Sequence, residues 1–187
     1  MPRRRTTARR LSRKDWLEHA LEALSKKGQS GLSIQDLSAA LGVSRGSFYW
    51  HFKDRNDFIH ALLKYWYEEY TVVAPIAVEL EGGTAEERLL RLMRLVHDQD
   101  LMHYDLIIRA LATSDRQFER WVKKADRFRL KYVRKLFIEL GFANNTLRIR
   151  ARSCLAYMTL EHELFDNLDR KHRSDLVDNL HKFLIRK

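Results

Sequence analysis

Between Asp115 and Gly141 the chain has neither proline nor glycine, and Phe118, Trp121, Val122, Ala125, Phe128, Tyr132 and Leu136 recur every three or four residues. That spacing gathers them on one side of a single long helix. The rest of the chain is built the same way. Two prolines and seven glycines in 187 residues leave few interruptions. No stretch alternates apolar and polar residues as a half-buried strand does. The chain is predicted to be all-α, with about nine helices. Hydrophobic residues make up 45% of it, enough to bury a core.

Capping residues divide the sequence. A first helix runs from about Ser12 to Lys27 with Leu17, Ala20, Leu21 and Leu24 on one face and Gly28 at its end. Ser33 and Asp36 form a start signal for a short second helix that points Ile34, Leu37 and Leu41 inward and breaks at Gly42. Ser44 is expected to cap a third helix, about Arg45 to His51, and Asp54 a long fourth that Pro75 ends or kinks. Thr84 and Glu87 form a capping box for a helix to about Gln99. An irregular "DQDLMHYD" junction leads to the apolar run Leu106 to Ala112 and then to the long helix. Asn145 starts the next, to about Leu168, and Ser174 is expected to cap the last, to about Ile185. Three regions follow: a basic disordered arm at 1–11, three short helices at 12–53, and longer helices at 54–187.

Charge is unevenly spread. The net is +10, and residues 1–60 carry twelve Lys/Arg against six Asp/Glu. Residues 1–14 hold seven basic side chains, Arg3, Arg4 and Arg5 among them, and no acidic one. Such an arm either releases counterions from a nucleic-acid backbone or merely solubilises the chain. The single cysteine, Cys154, excludes an internal disulfide and a cysteine zinc site, and reads as a small core residue. No apolar segment follows the basic start, and no window has the roughly 18 apolar residues of a membrane span. The expected location is the cytoplasm.

The segment "SRGSFYWHFKDR", Ser44 to Arg55, packs four aromatics, three basic residues and a histidine into one short run. A core helix would not carry Arg45, Lys53 and Arg55, and an ordinary surface helix would not carry Phe48, Tyr49, Trp50 and Phe52. A helix-turn-helix accounts for both. Leu37, Leu41, Val43 and Phe48 pack two helices together, with Gly42 at the turn. A helix capped at Ser44 presents N–H groups that favour phosphate. Arg45 and Ser47 lie in its first turn, where base edges are reached, and Gly46 leaves room for close approach. Phe48 and Phe52 point inward. Tyr49 is placed for a phosphate, Trp50 and His51 for a thymine methyl, sugar or phosphate, and Lys53 and Arg55 for the backbone. Ser33, at the start of the second helix, joins this set.

The stretch "LSIQDLSAALGVSRGSFYWHFKDRNDFIHALL" strongly resembles the DNA-binding region of tetracycline-repressor (TetR) family transcription regulators, over about residues 12–63. The resemblance implies that Tyr49 and Arg55 contact phosphate, Arg55 standing where the family more often has Lys and Ser38 where it typically has Ala. It also implies a homodimer on a palindromic operator in double-stranded DNA, because one recognition helix makes too few base contacts. The family's usual dimer surface falls on the last two helices, with Tyr157, Glu161, Leu164, Phe165, Leu176, Leu180 and Phe183 as candidates. Some apolar residues there also fill the monomer core.

A small-molecule effector would bind between the fourth and eighth helices and shift the fourth, relieving repression. Candidates to line that pocket are Trp66, Tyr70, Met93, Val96, His97, Met102, His103, Tyr104, Ile108, Trp121, Phe128 and Met158. The basic side of the long helix, Arg116, Arg120, Lys123, Lys124, Arg127 and Lys131, either favours an anionic ligand or is a solvated face. A DNA-binding regulator with no small-molecule ligand is the alternative. No cofactor or metal is expected. The 97/103 histidine spacing is not a one-face pair, and no dinucleotide fingerprint, P-loop, nucleophile elbow or zinc-protease motif marks an enzyme.

Overall fold

The computed structural model describes residues 11–164 and 170–187, with side chains described outside 162–171 and 173. It contains only helices and their connections among these residues: α1 Arg13–Lys27, α2 Ile34–Ala40, α3 Arg45–Tyr49, α4 Arg55–Tyr67, α5 Val73–Glu81, α6 Ala85–Asp98, α7 Asp105–Ala112, α8 Arg116–Glu139, α9 Asn144–Leu164 and α10 Arg170–Ile185. A 3₁₀ turn, Gly28–Leu32, follows α1, and a π-helical turn, Glu68–Val72, joins α4 to α5. Counted through that turn, α4 and α5 are one helix, and the described helices number nine. None is long and apolar enough to cross a membrane.

Two compact units divide between Tyr65 and Trp66, inside α4 rather than before it. The physical reason is aromatic. Phe58 of α4 lies edge-on to Phe48 and Phe52 at 5.3 and 5.0 Å between ring centroids, and Trp16 of α1 meets Phe48 at 5.6 Å. All four rings are buried. The 3₁₀ turn seats Gly31 so close to α1 that a Cβ there would lie 2.2 Å from the Ala23 carbonyl oxygen. Ser12 caps α1 in a full capping box with Asp15. Ser38 is buried and satisfies itself, its Oγ donating to the Ile34 carbonyl at 2.7 Å.

In the second unit, Val78, Leu89, Met93, Val133, Leu136, Phe137, Ala151 and Cys154 form a core shared by α5, α6, α8 and α9. Thr84 and Glu87 close the second capping box at α6. Arg150 of α9 closes the end of α10, donating to the Phe183, Leu184 and Arg186 carbonyls. Burial pushes the Cys154 thiol up to about 12.

Four sequence expectations change. Ser44 stands at the start of α3 in extended conformation, but its side chain makes no capping hydrogen bond. That helix ends at Tyr49, short of His51, and continues as a turn. Ser174 does not cap the last helix, which is already formed from Arg170. Pro75 neither ends nor kinks its helix, which runs on to Glu81. It is the third residue of α5, directly after the π turn. In the π register the Tyr70 carbonyl looks five residues on, to position 75, where proline has no N–H. Arg129 of α8 replaces that donor, its Nη2 lying 3.2 Å from the Tyr70 oxygen and 2.8 Å from Thr71 Oγ1.

Candidate nucleic-acid interface and helical cavity

The first unit sorts its aromatics by solvent. Phe48 and Phe52 are buried, whereas Tyr49 is 56% and Trp50 82% exposed. Burial of an indole normally stabilises a fold, so this degree of exposure is a cost without a structural return. Arg45, Gly46, Lys53 and Arg55 are exposed beside them, Ser47 and His51 half-buried. Gly42 takes φ 67° at the turn, where Gly42 N–H donates to the Ala39 carbonyl and Val43 N–H to the Ser38 carbonyl. A Cβ on Gly46 would meet only Ser44 Oγ, at 3.6 Å, so its space is open for something outside the fold. Ser33 is half-buried and occupied locally, its Oγ accepting from Asp36 N–H at 3.4 Å. Lys53 is held at the backbone by Asp57, and Asp57 N–H by Asp54, so α4 begins beside the exposed face in fixed register. Arg3, Arg4 and Arg5 lie outside the described residues.

In the second unit a cleft of about 350 Å³, of which about 20 Å³ is free for a water-sized sphere, lies among α5, α6, α8 and α9. Tyr70, Val96, Met102 and Met158 of the expected set line it. Met93, Trp66 and Ile108 are buried elsewhere in the unit. His103 is exposed, with its Nδ1 3.2 Å from Asp100, its ring against Tyr104, and Tyr104 against Tyr70. His97 is half-buried. Trp121 and Phe128 pack on Tyr67, with Lys124 Nζ 4.2 Å above the Tyr67 ring.

Four residues that no sequence motif marked carry the charge here. Arg129, on the cleft wall, is 5% exposed and Asp105 1%. They form a two-pronged pair at 2.7 and 2.9 Å. Arg109 joins Asp105 at 3.1 Å and grips Asp126 at 2.9 and 2.5 Å. Its hydrogen bonds to Asp126 raise its pKa further above the ordinary guanidinium value. The available signal was register: Arg129 continues the inward series Val122, Ala125, Val133, Leu136, where a charge demands a buried partner.

Residues 17–62 match the model of the family described as bacterial regulatory proteins, tetR family. Over 46 residues the chain is 44% identical to the HTH-type transcriptional regulator AcrR of Shigella flexneri, covering 25% of this chain and 21% of that protein. The chain belongs to the TetR family. Its matches to the curated relatives span a fifth to about a third of their length, 35% for TtgR of Pseudomonas putida. The fold likeness is wider. A transcriptional regulator of Rhodococcus sp. Rha1 superposes with a TM-score of 0.75 at 15% identity, over 94% of this chain and 96% of that one. AibR, solved with isovaleryl coenzyme A and operator DNA, gives 0.72 at 17%, over 92% and 97%.

On the last helices of this TetR-family chain, Phe183 is 70% and Leu176 41% exposed. Leu180 is half-buried against the core, Tyr157 is half-buried, and Glu161 is buried. The side chains of Leu164 and Phe165 lie outside the described set. Ile149 and Leu160 of α9, absent from the sequence expectation, are also exposed.

Proposed function

We propose that this chain is a transcription regulator that binds a palindromic DNA operator as a homodimer and is released from it by a small molecule, acting as a repressor in the cytoplasm. The observation that carries the DNA part is the exposed Tyr49–Trp50 pair beside Arg45 and Gly46, set on a fully buried aromatic core. Arg45 and Ser47 are the base-reading candidates, with Trp50 for apolar contact. Tyr49, Lys53 and Arg55 hold phosphate and set register. The basic arm adds sequence-independent attraction. The exposed apolar residues of α9 and α10 support pairing of two copies, which doubles the reading surface. The cleft in the second unit, and the ligand-bound state in which AibR was solved, support a ligand response.

Fluorescence anisotropy on DNA from upstream of the chain's own gene, with random DNA as competitor, tests this reading. Competitor-resistant binding of two protomers per site is expected, with Tyr49→Ala and Arg45→Ala each weakening it about tenfold at unchanged thermal stability. Equal, salt-abolished binding to every fragment would remove operator specificity. Binding that no small molecule relieves would leave a DNA-binding regulator without a ligand.

A further inference from the structure

The cleft wall carries one unmet demand. Arg129 spends Nη1 and Nη2 on Asp105, Thr71 and the Tyr70 carbonyl, while its buried Nε has no hydrogen-bond partner. A buried donor left without an acceptor is costly, and a group that supplies one is favoured. The charge, by contrast, is already balanced: two guanidinium groups, Arg109 and Arg129, face two carboxylates, Asp105 and Asp126. An arriving anion would be buried in excess. The rest of the wall is mostly apolar, and Met102 and Met158 narrow it with unbranched, adaptable side chains.

We infer that this cleft takes an uncharged, mainly apolar molecule whose single acceptor oxygen receives the Arg129 Nε proton. The two methionines move aside to admit it. The inference rests on the ligand-response reading above and fixes its ligand class. It also separates the cleft from the exposed basic side of α8, which faces away from this chemistry. Because Arg129 also holds the carbonyl that Pro75 leaves unpaired, the ligand would touch the side chain that maintains the π turn between α4 and α5.

Three probes of similar size separate the possibilities when titrated at millimolar concentration into the full chain: acetophenone, benzoate and ethylbenzene. Binding is read from the Arg129 Nε–Hε resonance and from Tm. Acetophenone is expected to shift that resonance and raise Tm. Ethylbenzene should bind about fivefold more weakly for want of the acceptor, and benzoate about tenfold or more. Arg129→Lys should erase the preference for acetophenone over ethylbenzene. Met158→Trp, which fills the cleft and leaves the charged group intact, should abolish the acetophenone response. Benzoate binding tightest, an unmoved Arg129 resonance, or no binding by any probe overturns the inference. DNA affinity is measured in parallel. Acetophenone bound at Arg129 with DNA affinity unchanged would refute ligand release and leave the site standing. DNA release by benzoate alone would keep ligand release and overturn the site.

Discussion

The two units solve burial differently. Among described residues, the first buries one polar side chain, Ser38, which bonds to its own helix. The second buries Thr71, Asp105, Arg129, Glu161 and His181. Interlocked rings hold the first, and their energy depends little on pH or salt. Partnered charges hold part of the second, where a lost partner leaves the other stranded. A rigid apolar platform suits a surface that must present Trp50 and Tyr49 without rearranging. A partnered charge cluster suits a region whose equilibrium something else can bias.

That contrast breaks first at Asp105. Asp105→Ala should cost about 3–5 kcal/mol by leaving Arg129 buried beside Arg109, read by urea unfolding with the second unit's Trp66 and Trp121 as reporters. The first unit should be unmoved. Gly31→Ala should do the converse, because its Cβ would press on the α1 backbone at Ala23. A loss of about 1–3 kcal/mol or more is expected in the first unit alone, seen by amide exchange. Caps give a finer test. Ser12→Ala and Thr84→Ala should each cost about 1 kcal/mol, whereas Ser44→Ala, which removes no capping bond, should leave Tm near the wild-type value.

The smallest effect is a pH slope confined to the second unit. His181 is buried with Nε2 3.1 Å from the Glu86 carbonyl oxygen, and burial lowers its pKa below the ordinary 6.5. The unfolded chain therefore takes up a proton that the folded one resists. Its stabilising share is full above 6.5 and falls as pH drops below it. His181→Gln should flatten the stability curve of the second unit between neutral and mildly acidic pH, with the first unit's curve unchanged.

The first unit was legible because its code is local. Ser12 with Asp15, Gly42 at the turn and the Phe48–Phe52 spacing act over a few residues, and each stands where the sequence placed it. The same capping rules misplaced Ser44 and Ser174, since a serine's hydroxyl decides nothing when neighbouring contacts set the helix start. The Arg129–Asp105 pair joins residues on different helices, and Pro75 seemed a breaker because its remedy lies on α8. Pairings of that kind are properties of packing, which no short window of sequence contains.

Cys154 deserves a last consequence. It is the chain's one cysteine, wholly buried, with a thiol that burial keeps protonated well above neutral pH. Alkylating reagents attack the thiolate, so the folded second unit is silent toward them. Its labelling rate is then a clock for opening of that unit alone. A cysteine placed at an exposed site such as position 50 would take a fluorophore as the sole fast-reacting thiol, which makes the wild-type background ready for distance measurements without first removing anything.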